Sequence, residues 1–112
     1  MKISEQAKLI KQVADDKKGE NIKVLDLKGI TEIADYFVLV TANNVPHIKS
    51  ICDEVENTLH KKGINFIRKE GYDEGNWIIL DYGDVVVHLM LAEQREYYSL
   101  EKFWREAKEV EF

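Results

Sequence analysis

The sequence predicts an α/β fold, more narrowly α+β: one domain, residues 1–112, with a mixed five-stranded sheet packed against helices. Three observations carry this. Tyr36–Val40 (Tyr-Phe-Val-Leu-Val) is continuously apolar, the pattern of a strand buried on both faces. Ile48, Ile51, Cys52, Val55 and Leu59 follow it at helical spacing and form one apolar stripe. Trp77–Tyr82 and Val85–Leu91 flank Tyr82-Gly83-Asp84, a tight-turn signal, and read as an antiparallel hairpin.

In chain order, Ser4 is placed to cap a first helix running to about Lys18. Ile3, Ala7, Ile10, Val13 and Ala14 make its stripe, and Gly19 is its expected stop. Ile22–Leu27 reads as a strand, and Tyr36–Val40 as the next. Asn43-Asn44-Val45-Pro46 starts the second helix, because an amide side chain can cap and proline is tolerated in the first turn. That helix ends at Lys61-Lys62-Gly63, and Ile64–Lys69 is a further strand. In the hairpin, a two-residue loop is expected to set Trp77 opposite His88, Ile79 opposite Val86 and Leu80 opposite Val85; a bulged loop would shift this by one. Ser99 is placed to cap a terminal helix carrying Leu100, Phe103, Trp104 and Ala107.

Composition narrows the class. At 45% hydrophobic residues a chain of this length buries roughly two-thirds of its extended surface, enough for one core without staples. One cysteine, Cys52, excludes an intrachain disulfide and a multi-cysteine zinc site. Sixteen Lys and Arg against twenty-one Asp and Glu leave a net charge of −5, which argues against free nucleic acid as the main target. No segment approaches the roughly 18 apolar residues of a membrane helix, and the polar stretch from Met1 to Lys11 lacks the apolar core of a signal peptide. The expectation is a cytoplasmic protein, bacterial given a start at Met1 without a transit segment.

Sites for chemistry are scarce. Cys52 lies within an apolar stripe and reads as an inert core residue. His47 and His60 stand at opposite ends of one helix without ligand-spaced partners, so no metal is expected, nor any cofactor. Neither a Gly-x-Gly-x-x-Gly nor a Walker loop occurs. The helix N-terminus at Asn44 offers amide groups to an anion, as every strand-to-helix join does.

The sharpest asymmetry is Glu70 to Asp84, which holds five acids (Glu70, Asp73, Glu74, Asp81, Asp84) and no Lys or Arg. Asp81 and Asp84 flank a turn that favours Asp for local hydrogen bonding. The cluster as a whole reads either as a solvated hairpin end or as a surface for a basic partner. Trp77 opens a strand beside Asp73, Glu74 and Asn76 and is expected to share a face with Asp81, Asp84 and His88. On so polar a face it is either a rim packing residue or an interface anchor. Five of eleven aromatics fall in the last sixteen residues, and Phe103 and Trp104 have core spacing.

The run Trp77-Ile78-Ile79-Leu80-Asp81-Tyr82-Gly83-Asp84-Val85-Val86-Val87-His88, followed by Arg95-Glu96-Tyr97-Tyr98-Ser99-Leu100-Glu101, resembles the RsfS/Iojap/YbeB family of ribosomal silencing factors. Asp35–Thr41, His47–Val55 and Glu70-Gly71 match in the same order, so the resemblance spans nearly the whole chain. It departs at Thr41-Ala42-Asn43-Asn44, where the family often has Thr-Gly and a serine. Ala42 takes positive φ less readily than glycine, so the shape of that turn is open.

The resemblance implies a translational repressor that binds the large ribosomal subunit at ribosomal protein L-fourteen and sterically blocks joining of the small subunit. Large-subunit maturation is a second role it allows, and it permits a homodimer. It also implies a fold like that of nucleotidyltransferases. Those enzymes need Gly-Gly/Ser after the first strand and a metal-holding Asp-x-Asp on the next. Here Ala42-Asn43-Asn44 replaces the former, and no Asp-x-Asp falls on an expected strand, so the chain is not expected to be an enzyme. A nucleotidyltransferase-like nucleotide-binding enzyme is the alternative. The expected partner contact is Glu70, Gly71, Trp77, Asp81, His88 and Met90, with an exposed strand edge as a further means of pairing. His88 has a structural alternative, hydrogen-bonded across the hairpin. Arg95 is expected to pair with Glu70 or Glu101 as scaffold.

Overall fold

The chain threads α1 (Ile3–Asp16), β1 (Glu20–Asp26), β2 (Tyr36–Ala42), α2 (Val45–Lys61), β3 (Arg68–Glu70), β4 (Trp77–Asp81), β5 (Val85–Leu91), α3 (Ala92–Tyr98), α4 (Leu100–Phe103) and β6 (Lys108–Glu109). This computed structural model describes all 112 residues. The sheet has six strands in the order β3-β4-β5-β2-β1-β6, one more than expected. Only β2 and β5 pair in parallel; every other neighbour is antiparallel.

β2 sits at the centre, and all seven of its residues are buried, as its unbroken apolar run requires. Tyr36, Val38, Val40 and Ala42 face α1 and α2 in a core of 20 buried residues, with Ile48, Ile51, Cys52, Val55 and Leu59 of α2 fully enclosed there. Burying each of those aliphatic side chains is worth about 2 kcal/mol. The opposite face is thinner: seven buried residues, among them Phe37, Leu39, Val86 and Met90, are covered by Leu100, Trp104 and Ala107 of the C-terminal segment.

The caps divide into expected and unexpected. Asn44 accepts from the His47 backbone N–H at 2.9 Å, with Pro46 in the first turn, so α2 starts as its sequence dictates. The His47 ring then reaches the Lys17 carbonyl at the end of α1 (2.7 Å), tying the two helices together. α1 begins one residue before Ser4, with Lys2 as its cap position and no side-chain cap bond. Its left-handed stop is Lys18 (φ 63°) rather than Gly19. Gly19 is needed for close approach instead: a Cβ there would stand 2.7 Å from Val40 Cγ1.

Four other expectations are corrected. The β4–β5 register pairs Trp77 with Met90, Ile79 with His88 and Leu80 with Val87, two residues from the expected pairing. The two-residue loop is Gly83-Asp84, closed by the Tyr82 N–H on the Val85 carbonyl (2.9 Å), with Gly83 at φ 92°. The strand expected over Ile64–Lys69 shortens to Arg68–Glu70, because the Ile64 N–H bonds back to Leu59 and ends α2. The single terminal helix becomes two short helices broken at Ser99, which takes φ 49° and donates its hydroxyl to the Glu96 carbonyl (2.6 Å). Phe103, expected in the core, is 75% exposed, while Trp104 packs edge-on to Phe37 at 5.8 Å.

Candidate partner-binding face

The site residues converge on the thin face of the sheet. Side chains alternate along β4, so Trp77, Ile79 and Asp81 share this face with Val86, His88 and Met90 of β5. Trp77 is half-buried at the sheet margin, and its indole Nε1–H donates to His88 Nδ1 at 3.2 Å. That bond fixes His88 as the neutral Nε2–H tautomer. Burial pushes the His88 pKa down to about 4, opposed by the charge of Asp81. Nε2 has no polar partner, and the nearest π-system is Phe37, whose ring centroid lies 4.6 Å from that of His88 in an edge-to-face arrangement.

The six expected contact residues separate by depth. Met90 is fully enclosed and His88 is 6% exposed, because α3 and the following segment cover the centre of this face. These two support the surface from beneath rather than forming it. Asp81 is held in the hairpin, accepting from the Gly83 N–H (2.7 Å) and from Arg68 Nη2 (3.2 Å). Glu70 is exposed and pairs with Arg68 at 3.5 Å. Gly71 (φ 80°) turns the chain so tightly that a Cβ would lie 2.1 Å from the Trp77 carbonyl oxygen. Gly71 and Trp77 therefore touch, and Glu70 adjoins them in sequence, while Asp81 stands at the other end of β4. Among the five acids, Asp73, Glu74 and Asp84 enter no ion pair.

Two residues of this face escaped sequence reasoning. Tyr98 of α3 packs on Trp77 with ring centroids 4.7 Å apart, and Gln94 of the same helix lines the cleft beside them. The available signal was the run Ala92-Glu93-Gln94-Arg95-Glu96, all but uniformly good helix formers after a strand. Arg95 on α3 is 5% exposed and anchors the whole segment. It donates to Glu101 Oε1 (3.0 Å) and to the Thr41 hydroxyl (2.9 Å), so of its two expected partners the structure selects Glu101. Lys23 joins at 3.1 Å, and the two cations hold the Glu101 carboxyl below its usual range, Arg95 contributing most.

Elsewhere the chemistry is quiet. Burial pushes the Cys52 thiol up to about 12, with the Glu56 charge adding to it, which removes the thiolate a nucleophile needs. No three His, Cys, Asp or Glu side chains gather so as to hold a metal ion. No helix is long and apolar enough to cross a membrane.

Comparison with known proteins places the chain in a family. The family model described as "Ribosomal silencing factor during starvation" matches residues 1–112. The ribosomal silencing factor RsfS of Halalkalibacterium halodurans is 39% identical over 111 residues, covering 99% of this chain and 95% of that protein. The mouse "Mitochondrial assembly of ribosomal large subunit protein 1" is 30% identical over 89 residues, 77% of this chain and 39% of its own length. A crystal structure of a Chromobacterium violaceum protein superposes with a TM-score of 0.91 at 32% identity, covering 100% of this chain and 92% of that one. The chain therefore belongs to the RsfS family of ribosomal silencing factors.

Proposed function

We propose that this protein is a translational repressor that docks on the large ribosomal subunit, at ribosomal protein L-fourteen, and obstructs joining of the small subunit. The carrying observation is the Trp77 face: a large aromatic held by a hydrogen bond at the sheet margin, close in sequence to Asp73 and Glu74, which pair with no cation of the chain. An obstacle of this kind needs a stable body and one specific contact, and no catalytic group, metal or cofactor. Ribosomal proteins are basic as a class, so Asp73 and Glu74 supply charge complementarity and Trp77 the desolvated anchor. Ribosomal RNA is a poor main contact for a chain of charge −5. The mouse relative is named for assembly of the mitochondrial large ribosomal subunit, which supports maturation as a second role. The site of action is the cytoplasm, and a homodimer is compatible with the exposed β3 edge.

Sedimentation with purified large subunits tests the reading. The protein is expected to travel with large subunits and to reduce the yield of joined ribosomes when small subunits are added. Failure to co-sediment, with joining undisturbed, would overturn it.

A further inference from the structure

Gly71, Glu74, Asn76, Trp77, Gln94 and Tyr98 line a cleft of about 340 Å³ between the β3–β4 turn and α3. We propose that this cleft is a socket for a single arginine side chain of a basic partner, with the guanidinium against the Trp77–Tyr98 wall between Glu74 and Gln94. The inference rests on the ribosomal docking reading and names the chemistry by which that face selects its partner.

Each wall supplies one part of guanidinium recognition. Trp77 and Tyr98 form a continuous aromatic surface, their centroids 4.7 Å apart. Because the indole N–H is directed inward to His88, Trp77 offers a cation its ring and no competing donor. Glu74 is exposed and enters none of the chain's six ion pairs, so its carboxylate is free to take a charge. Gln94 lines the cleft, and its Oε1 is buried without any donor, a costly arrangement that a rotation of the side-chain amide toward a guanidinium in the cleft would relieve. The nearby cation, Lys49, is held at the Asp73 carbonyl (3.1 Å) and over the Tyr72 ring (5.1 Å). The cleft sits at the small end of the volumes that ligand sites occupy, which suits one side chain better than a cofactor. A flat guanidinium stacks on aromatic rings and donates in several directions at once, whereas an ammonium is a hydrated point charge, so arginine is favoured over lysine.

The test uses the full chain, isotope-labelled, titrated by NMR with the capped tripeptide Gly-Arg-Gly and its lysine and citrulline counterparts. The arginine peptide is expected to move the Trp77 indole and Gln94 side-chain amide signals, the lysine peptide less, and the citrulline peptide not at all. Glu74→Gln, a change at an exposed position, is expected to weaken the arginine peptide at least tenfold and to lower co-sedimentation with large subunits. Equal shifts with citrulline, or an unchanged Glu74→Gln variant, would overturn the socket. If the wild-type chain co-sediments while Glu74→Gln binds just as well, the socket falls and the ribosomal reading stands. If the wild-type chain fails to co-sediment, the ribosomal reading falls, and the peptide titration alone decides the socket.

Discussion

Trp77 and His88 lie on diagonal positions of the β4–β5 hairpin, and the indole N–H of the first is hydrogen-bonded to Nδ1 of the second at 3.2 Å. The relationship couples the surface to the core. His88 is enclosed by Phe37 and the C-terminal segment, so its ring has one position, and through the hydrogen bond Trp77 acquires one as well. A partner docking on Trp77 meets a side chain already ordered, which spares the rotamer entropy that an unrestrained surface aromatic would lose.

Burial of His88 makes stability depend on pH. His88 titrates near 4 in the folded chain, against about 6.5 when unfolded. Between these values the unfolded chain takes up a proton that the folded chain refuses, so stability falls as pH drops from about 6.5 to about 4. The loss across that window is about 3 kcal/mol, and below pH 4 this residue adds nothing further. Urea unfolding at pH 7, 6 and 5 measures it. His88→Gln, which keeps an acceptor for Trp77 but cannot titrate, is expected to flatten the slope across that interval. An unchanged slope in the variant would show that other groups govern the acid limb.

Trp77→Ala is expected to weaken large-subunit binding by about 2 kcal/mol or more, the loss typical of a central aromatic anchor. The fold survives, because Trp77 is a half-buried margin residue and the larger core lies on the opposite face of the sheet. Sedimentation gives the binding loss and far-UV circular dichroism the integrity of the fold. Full binding by the variant would place the docking surface elsewhere.

What the sequence disclosed follows from which forces are local. The central strand and α2 were legible because two-sided burial and 3.6-residue periodicity are written in consecutive residues, and Asn44 caps its own helix. The hairpin and its two-residue loop were legible. The expected register was two residues off because pairing Leu80 with Val85 leaves four residues in the loop, whereas Tyr82 and Val85 close a loop of Gly83 and Asp84 alone. The end of the chain was misread because α3, α4 and β6 are too short to be stable by themselves. They are ordered by distant contacts: Arg95 with Thr41, Lys23 with Glu101, and Lys108 opposite Asp26. That error passed into the site. Strand alternation puts His88 and Met90 on the Trp77 face, but only the unforeseen α3 covers them and brings Gln94 and Tyr98 to the surface instead.

The Arg95 network predicts an asymmetry between its members. Glu101→Gln leaves a guanidinium that is 5% exposed without its counter-charge, and is expected to cost about 3 kcal/mol. Lys23→Ala removes a partner that is one-third exposed, and is expected to cost less than about 1 kcal/mol. Urea unfolding of the two variants provides the comparison. Equal effects would mean that Arg95 is not the residue that fixes the C-terminal segment to the sheet.

Gly63 and Gly71 share a left-handed backbone but differ in surroundings, which separates two costs that are usually confounded. At Gly63 (φ 79°) an added Cβ meets nothing within 4 Å, so Gly63→Ala bears only the backbone penalty, about 1 kcal/mol. At Gly71 (φ 80°) the same Cβ would lie 2.1 Å from the Trp77 carbonyl oxygen, and no side-chain rotation can relieve a clash with backbone. Gly71→Ala is therefore expected to cost about 3 kcal/mol or more, because the turn must withdraw from β4. That withdrawal shifts Trp77 relative to His88, so the indole N–H signal should move in Gly71→Ala and stay in place in Gly63→Ala. Similar losses in the two variants, with Trp77 unmoved in both, would show that the turn yields without disturbing the face it supports.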